Sequence, residues 1–315
     1  MTTIQMFSHV REVAIAADKI AHHGTINDVL TELRSLCLDD FATLFLSMPN
    51  PEFPALSRLL PRMADAEVQR SITGNEGYAL LQESLNFVRS MALQCVAVTS
   101  SPLQGKSILD FGCGYGRIIR LMYYYSEPSR IWGVDPWDRA IHLCRSDGML
   151  GNFALSDYLP KDLPVSSTRF GLIYAFSVFT HLSERATRQA LATLRNYVND
   201  NGLCVITIRP REYWDMAAAG GNPVDCNLMK QQHDGQGFAF TPLNLPPVDG
   251  DITYGDTSMT FRWLAENIPE WKIAGYDHTL DDPLQVIVYL RPRPAKRGWG
   301  AFRIARLLRQ PARRP

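Results

Sequence analysis

The chain has 315 residues, 46% of them hydrophobic and 20% charged, with a formal net charge of zero. That composition is globular, which excludes low-complexity and collagen-like chains, and the charge balance gives no whole-chain attraction to nucleic acid. No apolar run approaches the roughly 20 residues that a membrane-spanning helix needs. The six cysteines (Cys37, Cys95, Cys113, Cys144, Cys204 and Cys226) are dispersed with no C-x-x-C pair, so neither zinc nor redox chemistry is signalled. Several lie in apolar runs, as reduced, buried thiols do, and the first residues lack a basic segment followed by an apolar core. A cytoplasmic protein is therefore expected.

Residues 1–100 read as a helical N-terminal extension or cap. Thr25 is placed to cap a helix that carries Val29, Leu30, Leu33, Leu36 and Cys37 on one face. Pro51, Pro54 and Pro61 punctuate the next stretch of chain. Glu76 to Val98 then repeats apolar residues at helical spacing and predicts one long amphipathic helix.

From Ser107 the pattern changes to strands alternating with helices. Strands are predicted near Ser107–Phe111, Arg130–Val134, Asn152–Leu155, Phe170–Phe176 and Leu203–Ile208. Helices are predicted near Gly116–Tyr125, Asp138–Ser146 and Glu184–Val198. Such alternation predicts an α/β domain, over 101–290, with a mostly parallel sheet covered on both faces. Residues 210–255 interrupt the rhythm and read as an insertion, too long for an ordinary connection. After a helix near Ser258–Asn267, Trp271–Asp277 and Gln285–Leu290 predict two strands joined through Asp281, Asp282 and Pro283, close enough in sequence to pair antiparallel. Residues 291–315 form a basic tail with nine basic residues and no acid, which leaves the first 290 residues at a net −9.

The chemistry is concentrated in I-L-D-F-G-C-G-Y-G-R, Ile108 to Arg117. A strand ends at Asp110, and Gly112, Gly114 and Gly116 lead toward a helix. A glycine triad fits a tight strand–helix turn, and it also lets a ligand approach the backbone without Cβ interference. The spacing is G-x-G-x-G, not the G-x-G-x-x-G of dinucleotide folds, and Asp110 would repel a pyrophosphate. The loop therefore suits a ligand with an ammonium group and no phosphate.

On these residues the sequence resembles the class I, Rossmann-like S-adenosylmethionine-dependent methyltransferase superfamily. The resemblance implies that the loop of Asp110, Gly112, Gly114 and Gly116 cradles S-adenosylmethionine, with Asp110 near the methionine amine. It implies that Asp135, at the end of I-W-G-V-D-P-W, accepts hydrogen bonds from the ribose; an exposed turn before Pro136 is the competing reading. Trp137 is placed to stack near the adenine or to pack on the adjacent helix. Asp157 is placed to accept the adenine amino group or to cap a local turn. Arg70 and Gly74, in the segment before the long helix, are candidates to close over the cofactor, with Arg70 on the methionine carboxylate. Alternatively Gly74 simply ends a helix.

In F-S-V-F-T-H-L-S-E, Phe176 to Glu184, the residues Ser177, Thr180 and His181 follow the fourth strand, where ligands of open α/β sheets sit. Similar S-V-x-x-H-L segments occur in small-molecule and glycan members of the superfamily. His181 is the candidate catalytic base for a hydroxyl, or else a residue that orients the loop. His233 and His278 read as surface or loop residues. Arg209, Arg211, Tyr213 and Trp214 follow the fifth strand and suit a polar acceptor. No N-P-P-Y or D-P-P-Y follows the fourth strand and no basic–aromatic groove is apparent, so a nucleic acid acceptor is not expected. No metal-ligand spacing appears. The expected function is methyl transfer to a polar acceptor, with a sugar or glycan hydroxyl in view. A small-molecule O- or N-methyltransferase of specialised metabolism and a non-catalytic cofactor-binding module are the alternatives. The basic tail is expected to be dispensable for folding and to give weak, salt-sensitive association with anionic surfaces.

Overall fold

The computed structural model describes residues 6–165, 168–220 and 224–294. The chain opens with helices α1 (Ser8–Ala21), α2 (Ile26–Leu33), α3 (Leu38–Leu46), α4 (Leu56–Leu59), α5 (Ala66–Thr73) and the long α6 (Gly77–Thr99). Thr25 starts α2 through a capping box: its hydroxyl accepts from the Asp28 N–H while the Asp28 carboxylate accepts from the Thr25 N–H. Val29, Leu30, Leu33 and Leu36 are buried as the spacing predicts, whereas Cys37 is exposed and begins α3. The other five cysteines are buried, free thiols.

The sheet is built from β1 (Ile108–Phe111), β2 (Ile131–Asp135), β3 (Asn152–Leu155), β4 (Phe170–Ala175), β5 (Val198–Ile208), β8 (Trp271–Asp277) and β9 (Val286–Pro292). Its seven strands run in the order β3-β2-β1-β4-β5-β9-β8. The pairs from β3 to β5 are parallel, with Asp110 opposite Gly133 and Tyr174. Strand β9 is antiparallel to both neighbours, because the loop after β8 is short enough for a hairpin and a parallel return is not. One strand, next to the edge, therefore runs against the others. The order of strands changes direction between β1 and β4, which opens a crevice at their carboxyl ends.

Two cores flank the sheet. On one face, Val29, Phe41, Phe45, Val88 and Met91 from the N-terminal helices pack with Ile108, Leu172, Tyr174 and Leu203. On the other, α9 (Glu184–Tyr197) and α12 (Phe261–Asn267) cover Leu109, Ile173 and Ile206 through Leu191, Leu194 and Trp263. The N-terminal helices thus complete the burial of one sheet face.

Three local expectations need correction. The helix predicted over Gly116–Tyr125 is only α7 (Ile119–Met122), because Gly116 adopts φ +76° and cannot enter a right-handed helix. The insertion contains α10 (Tyr213–Ala219), α11 (Cys226–Gln236) and a hairpin of β6 (Phe238–Pro242) with β7 (Gly255–Met259), so Ser258 lies in a strand where a helix was expected to start. His233 is buried in α11, with Nδ1 2.8 Å from the Ser258 hydroxyl. Helix α8 (Asp138–Ser146) coincides with its predicted range. No helix among the described residues is long and apolar enough to cross a membrane. Of the tail, only residues 291–294 are described; its expected role lies outside the described residues.

Candidate active site

The crevice is a cavity of about 660 Å³ at the carboxyl ends of β1, β2, β4 and β5. Its floor is the turn after β1. The N–H groups of Gly112 and Cys113 both donate to the Val134 carbonyl, at 2.8 and 3.1 Å, which folds the loop over β2. Asp135 fixes the loop from the side: Oδ2 accepts the Gly114 N–H and Oδ1 the Trp137 N–H, each at 2.9 Å. A carboxylate has about four lone-pair sites, so each oxygen keeps one for a ligand.

The three glycines answer different demands. At Gly112, φ is +81° and an added Cβ would sit 2.4 Å from Val178 Cγ2. At Gly116 the same atom would meet Met149 Cε at 2.5 Å. At Gly114, φ is +52° and nothing lies closer than Ile72 Cγ2 at 4.0 Å, so this backbone borders open space. Gly112→Ala is therefore expected to cost about 1–3 kcal/mol, from clash and strain together, and Gly114→Ala only the backbone strain of about 1 kcal/mol. Denaturant unfolding of the two variants checks the ordering; equal losses would show that Val178 yields freely.

Asp110, Gly112, Gly114, Asp135, Trp137, Asp157 and His181 all line the cavity. Gly116, Arg70 and Gly74 do not. Gly116 packs beneath the loop, Arg70 pairs with Glu76, and Gly74 is the left-handed C-cap of α5. The α5 segment reaches the cavity through Ser71, Ile72 and Thr73 instead. Of the residues after β5, Arg209 lines the cavity, Arg211 pairs outside with Asp234, and Trp214 is fully buried with its indole N–H on Ser258.

Burial dominates the electrostatics. It pushes the Asp110 carboxyl up to about 8; Asp135 adds to the effect, while Tyr174 and Arg117 oppose it. Burial also raises Asp135, against the two backbone N–H groups that favour its charged form.

His181 is held in a way that leaves little basicity. Its Nδ1 is 2.8 Å from the Gly255 carbonyl and so carries the proton, and Nε2 faces an Arg209 guanidinium nitrogen at 3.3 Å. Burial and then Arg209 lower its pKa to about 4. The ring stacks on Tyr254, with centroids 5.0 Å apart. The residues around it receive the insertion: Gly255 N–H donates to His181 O, Thr257 N–H to Thr180 O, and Ser183 N–H to Thr253 O. The imidazole is thus neutral beside a guanidinium, with one nitrogen on the β7 backbone and the other facing Arg209.

Sequence reasoning missed Glu83 on α6, Tyr158, Tyr254 and Gln285, and gave no role to Arg117 or Asp282, all of which line the cavity. Arg117 closes the glycine motif and was within reach of it. The others come from segments separated by up to two hundred residues, with no local pattern to join them.

A family model described as "Methyltransferase domain" matches residues 88–233, the span that contains the glycine loop, Asp135 and β1 to β5. Residues 88–233 therefore carry a methyltransferase domain. No curated protein matches the chain. Among solved structures it is similar to magnesium protoporphyrin IX methyltransferase from Synechocystis, at 14% identity over 72% of this chain and 94% of that one, with a TM-score of 0.46. A methyltransferase from Clostridium acetobutylicum gives 12% identity, 72% and 97% coverage, and a TM-score of 0.48. A glycopeptide N-methyltransferase complexed with sinefungin gives 12%, 65% and 93%, and a TM-score of 0.44.

Proposed function

We propose that the chain transfers a methyl group from S-adenosylmethionine to a polar small-molecule or glycan acceptor bound in the same cavity. The observation that carries this reading is the division of the cavity. One side is the β1 loop with Asp110 and Asp135; the other is walled by the ends of β4 and β5, the β6–β7 region and the β8–β9 loop.

The residues on the first side fit the cofactor. Gly114 borders open space, Asp110 is a buried carboxylate whose charge needs a cation, and Asp135 has lone pairs left after fixing the loop. Asp110 would face the methionine amine, Asp135 the ribose, and Trp137, Asp157 and Tyr158 the adenine end. Bound there, the cofactor supplies a methyl group already activated on a sulfonium. The protein's contribution is to align the acceptor and exclude water. The N-terminal segment 71–73 and the insertion wall the acceptor from solvent, and His181 positions the insertion without moving a proton.

Two measurements test the cofactor role. Calorimetry is expected to show saturable binding of S-adenosylmethionine or S-adenosylhomocysteine and none of NAD; NAD binding alone would overturn the reading. The second is proton release. With a value near 8, Asp110 is mostly protonated at pH 7, and an ammonium group beside it favours the ionised form. Binding at pH 7 should then release about one proton, seen as buffer-dependent heat, and Asp110→Asn should abolish the release. In the unliganded protein the same raised value makes this contribution to stability largest at low pH and lost as pH rises from the ordinary carboxylate range through about 8.

A further inference from the structure

The charged groups on the acceptor side are paired, with one exception. Glu83 accepts from the Asn75 side-chain amide at 2.8 Å and lies 3.7 Å from Arg117. Arg209 holds Asp256 at 2.7 Å and faces His181. Asp282, half-buried on the loop between β8 and β9, lines the same cavity, and its carboxylate makes no hydrogen bond or ion pair among the described residues.

The loop that carries it is fixed. Asn86 donates to the Asp281 carboxylate at 3.0 Å, and the Gln285 N–H donates to the Asp282 carbonyl at 3.1 Å. The Gln285 amide N–H donates to the Ser177 hydroxyl at 2.9 Å, which leaves Gln285 Oε1 buried and without a hydrogen-bond partner among the described residues. Ser177 is itself held at φ +58°, with its N–H on the Thr207 hydroxyl at 2.7 Å. The acceptor side therefore presents two unengaged acceptors, one of them anionic, on a braced frame.

We propose that Asp282 and Gln285 Oε1 form the docking point of the methyl acceptor, that this acceptor is an amine, and that Asp282 takes its proton. This deepens the methyl-transfer reading above and rests on it. A protonated amine brings three N–H donors and a positive charge to a site offering acceptors and a carboxylate with no ion-pair partner among the described residues; a hydroxyl brings one donor and no charge. An ammonium nitrogen has no lone pair, so it must lose a proton before it can attack. The Asp282 carboxylate takes that proton. The freed lone pair then forms the N–C bond as the C–S bond breaks, and the electrons of that bond stay on sulfur. The methylated ammonium product sheds a second proton to water, and the proton on Asp282 leaves by the surface of its loop, where Leu280 is 90% exposed.

The electrostatics suit this role. Burial, with Glu83 and Asp281 nearby, raises Asp282 to about 6, against Arg117 and Arg209. It is thus ionised at neutral pH and a better proton acceptor than an ordinary carboxylate.

The test uses the full-length protein loaded with S-adenosylhomocysteine and matched probes: tyramine with tyrosol, glucosamine with glucose, phenethylamine with phenethyl alcohol. The expected result is a rise in melting temperature with at least one amine and none with its hydroxyl partner, lost in Asp282→Asn. With labelled S-adenosylmethionine, that amine should be methylated, with kcat/KM falling as pH drops through about 6. Asp282→Asn should lower kcat/KM by about a hundredfold. Its affinity for S-adenosylhomocysteine should be unchanged, which also shows that the variant is folded. Stabilisation by the hydroxyl partners, by no amine, or equally in Asp282→Asn overturns the proposal. Failure of the wild-type protein to bind S-adenosylhomocysteine overturns the methyl-transfer reading instead.

Discussion

Arg120→Ala is expected to lower the unfolding free energy by about 3–5 kcal/mol, the range for removing one partner of a buried charged network. Arg120 lies on α7 and is only 1% exposed. One guanidinium nitrogen donates to the Tyr115 carbonyl at 2.8 Å, the other to the Arg62 carbonyl at 2.5 Å, and Asp147 stands 3.8 Å away. A single side chain thus joins the glycine loop, the segment before α5 and the turn after α8. Alanine would leave two carbonyls and a half-buried carboxylate unsatisfied around a void. Arg120→Lys keeps the charge but cannot span two carbonyls in a fork, so it should fall between the two. Denaturant melts of the three proteins check the series. An alanine variant within about 1 kcal/mol of wild type would show that the clasp carries little.

Asp135→Ala is expected to weaken cofactor binding by about 1.5–3 kcal/mol, roughly 10- to 150-fold in Kd. Two losses add. The ligand loses a charged acceptor, and the Gly114 and Trp137 N–H groups lose the carboxylate that orients them. Asp135→Asn should also be impaired, because its amide can accept at only one of those two positions and presents a donor to the other. Calorimetry on the folded variants decides; unchanged affinity for S-adenosylhomocysteine would remove Asp135 from the ribose role.

The parallel part of the fold was legible because each element carries its own signal. The short apolar runs at Ile108–Phe111 and Phe170–Ala175 have the length and pattern of strands buried on both faces, and Asp138–Ser146 shows its apolar face at helical spacing. The glycine loop announced its place because its chemistry is local. What stayed hidden depends on distance. His233 is buried against Ser258, and His181 is kept neutral by burial and by Arg209, against the Gly255 carbonyl, through segments that no spacing connects. His181 was legible as a residue near the site, and its lowered basicity was not, because basicity is set by neighbours. Arg70 illustrates the reverse: its segment does border the cavity, but Glu76, six residues on, captures the side chain.

The lone antiparallel strand also decides where the molecule can be held. Gln285, just before β9, lines the cavity, and the strand then carries the chain away from it for seven residues to Pro292. At about 3.3 Å per residue that is roughly 20 Å, the full height of the sheet. There Arg293 is tied down, its N–H on the Glu270 carbonyl and its Nε on the Trp271 carbonyl at 2.9 Å. An affinity handle or fluorophore joined behind residue 294 therefore meets the protein on the rim opposite the cavity. Molecules tethered to a sensor surface by that end would keep the cavity mouth turned toward solution.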